Sequence, residues 1–236
     1  MAADNPKCAE GGMPTAPTRD RVQTTMTDQS EPGARVPAQL SHQDLSAMLA
    51  DRLGATAALV EAVRGDADLL AATVGAAVRT AESIRNGGTL FICGNGGSAG
   101  EATHLSGELI GPFLNKTRNP IPAVALGFDT SALTAVANDF SFDEIFSRPL
   151  TALARPGDVL WALSTSGRSP NIVRVLEGAA ERRVLSVLLT GARHADLLAP
   201  ADILLSVPSR ETPRIQELHL VLGHFLCEAV EALAAS

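Results

Sequence analysis

Between Ser41 and Gly88 the apolar side chains recur at helical spacing, and beyond Gly88 the rhythm changes to short unbroken apolar runs. Leu45, Met48, Leu49, Leu53, Leu59, Val60 and Val63 fall at helical spacing, followed by Leu69, Leu70, Val74, Val78 and Ile84. That spacing predicts two helices, broken near Gly65 and closed at Asn86-Gly87-Gly88, where a left-handed C-terminal cap favours glycine. The runs that follow are TLFIC (89–93), IPAVAL (121–126), DVLWALS (158–164), VLSVLLT (184–190) and DILLSV (202–207). Each reads as a strand, and amphipathic segments separate them. Continuous rather than alternating apolar runs are expected where helices cover both faces of a parallel sheet. From Thr212-Pro213 to Ser236 the chain reads as one helix with proline in its first turn. The predicted fold class is α/β: one domain with a doubly wound, five-stranded parallel sheet, helices on both faces, and an N-terminal helical pair.

Residues 1–38 lack this patterning. They are rich in Pro, Gly, Thr, Asp and Glu and hold too few large apolar side chains to offset the entropy of ordering them, so a disordered tail is expected ahead of a domain at 39–236. Met26 offers a second start within that tail. A chain of 236 residues that is 45% apolar has enough material for one substantial core. Its net charge of −7 and pI near 5.2 argue against a broad surface for nucleic acid or an anionic membrane, so any anion site must be local. The three cysteines, Cys8, Cys93 and Cys227, show no paired spacing and fit a reducing compartment. With no apolar run of membrane-spanning length and no signal-type N-terminus, a cytoplasmic protein is expected.

The first strand runs into CGNGGSAG (93–100) and then a helical segment. Glycines at the carboxyl end of a parallel strand let backbone approach a ligand, and the following helix N-terminus favours negative charge. Gly94, Gly96 and Ala99 fit a loose dinucleotide pattern, but no acidic residue ends a second strand at the required distance, and Asp129 comes too late. A triphosphate loop fails more simply, because no Gly-Lys-Ser/Thr follows. After the third strand, Ser164-Thr165-Ser166-Gly167-Arg168-Ser169-Pro170-Asn171 places four hydroxyls at a helix entrance. Ordinary helix caps account for one or two of them. Four suit a phosphate monoester held by O–H and N–H donors, with Arg168 as the local charge.

His104 and Glu108 share one helical face at i, i+4. On the last helix Gln216 and His224 lie about 80° apart, while His219 lies about 60° to the other side of Gln216. Spacing alone leaves both histidines open. Two imidazoles, a carboxylate and an amide oxygen are a ligand set for zinc or a similar ion, and a Glu with a His also moves protons without metal.

Four blocks in order, CGNGGSAGEATHLSGELIG, LTAVANDFSFDEIFSR, STSGRSPNI and VPSRETPRIQELHLVLGHFLCEAVE, resemble the SIS (sugar isomerase) family and, within it, the phosphoheptose isomerases, across about residues 45–235. The resemblance implies a sugar phosphate bound through Asn95, Gly96, Gly97 and Ser98, through Asn138 and Asp139, and through Ser164, Thr165, Ser166 and Ser169, with Glu108 and Gln216 also touching substrate. It implies zinc on His104, Glu108, Gln216 and His224, with Glu108 and His224 as the catalytic pair, and so selects His224 over His219. The implied reaction is the aldose–ketose isomerisation of sedoheptulose 7-phosphate to D-glycero-D-manno-heptose 7-phosphate through an enediol. It also implies a homotetramer whose sites draw on neighbouring chains. Two further readings share the pocket: a non-catalytic phosphosugar sensor or replication-associated adaptor, and an isomerase of another phosphosugar. A replication-initiator-binding relative lacks the catalytic Glu and His that this chain keeps. Pro213 stands where some isomerases carry Asp.

Overall fold

Five strands, β1 (Leu90–Gly94), β2 (Ala123–Ala125), β3 (Val159–Ser164), β4 (Leu185–Thr190) and β5 (Ile203–Ser206), pair in parallel in the order β2-β1-β3-β4-β5. The computed structural model describes residues 40–192 and 201–234. Cys8, Met26 and the expected tail lie outside them. The chain runs from β1 to β2 on one side and then crosses to β3 on the other, so the order of winding reverses between β1 and β3. In such sheets this reversal opens a crevice at the carboxyl ends of the strands.

Alternating residues of the sheet feed two cores. On one face Leu90, Ile92, Trp161, Leu163, Val187 and Leu189 meet three helices: α2 (Ala67–Arg85), α3 (Gly97–Ile110) and α7 (Thr212–Ala234). On the other, Phe91, Cys93, Leu160, Ala162 and Leu188 meet α5 (Ser147–Leu153) and α6 (Pro170–Glu181). The doubly wound α/β expectation is met. Small residues on α2 (Ala76, Ala77, Thr80, Ala81) let that helix lie close to the sheet, where Trp161 Nε1 donates to Thr80 Oγ1 at 3.2 Å. Asp66 caps α2 by accepting from Leu69 N at 2.9 Å.

Three features depart from the pattern reading. The apolar run 121–126 pairs over only three residues, because β2 is an edge strand entered through Pro120 and Pro122, which have no N–H to give a ladder. The helix α1 (His42–Arg64) buries only Leu59 and Val63, and Leu49 and Leu53 stay 60% and 63% exposed. It is tied to α7 through polar groups, Thr56 Oγ1 donating to Glu217 at 2.7 Å and Arg214 to Arg52 O at 2.8 Å. Finally, α4 (Thr130–Asp139), capped by Asp129, buries no residue at all. Phe128, Phe140 and Phe142, which flank it, are exposed.

Candidate active site at the carboxyl edge of the sheet

The glycine-rich turn is shaped by what each glycine avoids. Gly96 sits at φ +56°, a left-handed conformation that L side chains rarely adopt. A Cβ on Gly94 would stand 2.6 Å from Ser98 O, and one on Gly97 would collide with the Gln216 amide. Gln216 thus reaches across from α7 to the start of α3, where its Nε2 faces Ser98 Oγ at 3.5 Å. Asn95, between the glycines, exchanges two hydrogen bonds with Asn171 of α6, at 2.9 and 2.8 Å. That reciprocal amide pair joins the turn after β1 to the loop after β3.

In the hydroxyl loop, Gly167 lies at φ +66° and its N–H donates to both Ser164 O and Ser164 Oγ at 3.1 Å. Ser166 Oγ accepts from Arg168 N at 3.2 Å, and Ser169, at the N-cap of α6, makes no side-chain cap bond. Ser164 and Ser166 therefore spend acceptor capacity on the loop while their O–H hydrogens stay available to donate. Close by, Thr165, Ser166, Arg168, Ser209, Arg210 and Thr212 line a cavity of about 160 Å³. Asn138 and Asp139, on the last turn of α4, are exposed and bond to each other at 2.7 Å.

Where α3 meets α7, His104 Nε2 and His224 Nε2 lie 2.8 Å apart and Glu108 Oε1 lies 3.5 Å from His104 Nε2. One ligand atom from each of the three falls within 4.8 Å of the others. Around a tetrahedral zinc with Zn–N of about 2.0–2.1 Å, two ring nitrogens stand roughly 3.3 Å apart, so an ion fits after a small outward shift of the imidazoles. The donor set, two nitrogens and a carboxylate oxygen, suits zinc or a similar ion. Gln216 keeps to the glycine turn in this arrangement. Close helix contact makes the meeting possible, since a Cβ on Gly223 would stand 2.7 Å from a Leu105 methyl.

His219, which spacing could not distinguish from His224, is fully buried, and neither ring nitrogen has a hydrogen-bond partner of good geometry. Burial lowers its pKa to about 4, against an opposing contribution from the Thr190 backbone. A neutral core histidine is its role here.

Sequence reasoning missed Glu101. It stands three residues before His104 and seven before Glu108, about 20° from the latter around the helix, so that i, i+3, i+7 pattern was the available signal. It is 6% exposed, and neither carboxylate oxygen has a hydrogen-bond partner of good geometry. Burial raises its pKa to about 7, with the adjacent Ser98 hydroxyl acting in the opposite direction. Phe113 also escaped notice, its ring stacked on His224 at 5.8 Å between centroids and 16° between planes.

Comparison with known proteins identifies the family. The SIS domain family matches residues 53–191. The phosphoheptose isomerase of Rhodospirillum rubrum is 51% identical over 149 residues, 63% of this chain and 79% of that protein. That of Bordetella avium is 48% identical over 154 residues, 64% of this chain and 78% of the relative. Among solved structures, the phosphoheptose isomerase of Neisseria gonorrhoeae superposes with a TM-score of 0.73 at 37% identity, over 80% of this chain and 99% of that one. The enzyme from Francisella tularensis gives 0.72 at 32%, over 80% and 98%.

Proposed function

The chain belongs to the SIS domain family, and from that membership we propose that it is a phosphoheptose isomerase, interconverting sedoheptulose 7-phosphate and D-glycero-D-manno-heptose 7-phosphate. The observation that carries the reading is the cluster of His104, Glu108 and His224 where α3 meets α7, the same two helices that Gln216 and Ser98 bring together at the glycine turn.

Isomerisation requires a proton to leave C1 of the ketose, an enediol to form, and a proton to return at C2, while O1 loses a proton and O2 gains one. Glu108, part-exposed beside His104, is the carboxylate for the carbon-bound proton. His224 handles the oxygens, opening the sugar ring and moving the proton between them. Ser164, Thr165, Ser166 and Ser169 hold the far phosphate, with Asn95, Gly96, Gly97, Ser98, Asn138, Asp139 and Gln216 completing the substrate shell. Fixing the phosphate places the other end of the sugar at the catalytic pair, and such orientation supplies several kcal/mol of barrier reduction. One zinc ion per subunit belongs to this proposal, and His104, Glu108, Gln216 and His224 would hold it. When bound, the ion would supply Lewis-acid stabilisation of the enediolate. A carboxylate has two oxygens, so Glu108 is able to face the imidazoles with one and the substrate with the other.

A homotetramer belongs to the same proposal, supported by the apolar stripe of α1 and by the unburied α4 with its three phenylalanines, faces that a single chain leaves uncovered. Among the described residues no helix is long and apolar enough to cross a membrane.

The test is aldose formation from sedoheptulose 7-phosphate by purified protein, before and after chelation and with zinc restored. Turnover lost on chelation and regained with zinc is expected, and Glu108→Gln should abolish it without changing the fold. An active Glu108→Gln would remove that residue from the mechanism, and a folded, metal-loaded protein without turnover would defeat the isomerase reading.

A further inference from the structure

Behind the His–Glu–His cluster lies a buried ion pair that the proposed chemistry does not use. Glu231 follows His224 by seven residues on α7, about 20° away around the helix, so the two share a face. Its carboxylate accepts from three consecutive backbone N–H groups, Phe113 at 3.3 Å, Leu114 at 3.0 Å and Asn115 at 2.7 Å, and from Arg118 Nε at 2.5 Å. The Arg118 and Glu231 side chains are 2% and 5% exposed. Arg118 in turn donates to the carbonyl oxygens of Glu108 at 2.8 Å, Gly111 at 2.6 Å and Asn119 at 3.0 Å.

The bond to the Glu108 carbonyl answers a specific defect. A helical carbonyl is served by the N–H four residues on, and four residues after Glu108 is Pro112, which has none. Arg118 fills that gap. The same turn, pinned by Glu231, delivers the Phe113 ring onto His224. One ion pair therefore holds both the end of α3 that carries Glu108 and the ring that lies against His224.

We infer that Arg118 and Glu231 are positioning residues, acting through the Glu108 backbone and through Phe113, which fixes the orientation of the His224 imidazole so that its Nε2 faces His104 and Glu108. The catalytic consequence rests on the isomerase reading, whereas the positioning itself does not.

The experiment therefore has two arms. In metal-free, histidine-labelled protein, the His224 ring signals carry the ring current of Phe113. Phe113→Leu should move them, Phe113→Tyr should leave them in place, and Glu231→Gln should move them in the same direction as Phe113→Leu. Arg118→Lys, which keeps the charge and loses the fork, serves as the second clamp variant should Glu231→Gln not fold. In the kinetic arm, well below each variant's melting temperature, Phe113→Leu and the clamp variant should lower kcat roughly tenfold to a hundredfold while KM stays within about twofold, with Phe113→Tyr near wild type. A clamp variant with unmoved His224 signals, or a Phe113→Leu enzyme with wild-type kcat, overturns the inference. Were the wild-type protein inactive, the isomerase reading would fall and the ring signals would still decide the positioning.

Discussion

Glu101 and His219 are both buried without a hydrogen-bond partner of good geometry, and their pH effects run in opposite directions. Burial lifts Glu101 from 4.5 to about 7. A carboxyl with a folded pKa above its unfolded value holds its proton more tightly when folded, so its contribution is complete below about 4.5 and is lost as pH rises through about 7. His219 falls from 6.5 to about 4, so its neutral ring contributes fully above about 6.5 and loses that as pH drops toward about 4. Glu101→Gln should accordingly raise the thermal midpoint at pH 8 and barely change it at pH 4.5; equal shifts at both would mean that the carboxyl is not burial-strained. In the hydroxyl loop, Ser164→Ala and Ser166→Ala should raise KM more than they lower kcat, because the proposed function gives those hydroxyls the end of the substrate remote from the chemistry. Wild-type KM in both would remove the phosphate from this loop.

The chain leaves α6 through Arg183, just past the C-cap Arg182, at φ +57°, with Arg183 N bonded to Ala180 O at 3.2 Å and Val184 N to Ala179 O at 2.9 Å. This is a left-handed helix end of the kind glycine favours, and a side chain there costs about 1 kcal/mol. Arg183→Gly should raise the melting temperature by about 2–4 °C with kcat unchanged, and a lower melting temperature would show that the arginine holds something in place. The left-handed turn at Gly87 (φ +83°) after α2, like the strands, the glycine turn and the hydroxyl loop, was legible because each is written in a few consecutive residues. His104 and Glu108 were legible too, being one turn apart. The choice between His219 and His224 was not readable from spacing, since it depends on which face of α7 packs into the core and which meets α3. Phe113, Arg118 and Glu231 were invisible for the same reason, their bonds joining residues more than a hundred positions apart. The apolar stripe of α1 announced a helix correctly and gave no notice that Leu49 and Leu53 would face outward.

That outward stripe is where the whole molecule makes its largest claim on a partner. Leu45, Met48, Leu49 and Leu53 form a run of exposed apolar side chains along one helix, and such runs mark association surfaces. Leu49→Glu combined with Leu53→Glu should convert the proposed homotetramer to smaller species in sedimentation and light scattering, with activity falling alongside if the site draws on a neighbour. A wild-type chain that sediments as a monomer would refute the tetramer. Within each subunit, the hydroxyl loop hangs from β3 and α6, the His–Glu–His cluster from α3 and α7, and the Asn95–Asn171 amide exchange stitches the two halves together. On the proposed function, the grip on the phosphate and the reactive groups thus sit largely on different stretches of chain. A descendant could lose Glu108 and His224 and keep a folded phosphosugar receptor, free to be recruited for signalling, whereas a descendant that lost the serines would keep the reactive groups with a weaker hold on the far end of their substrate.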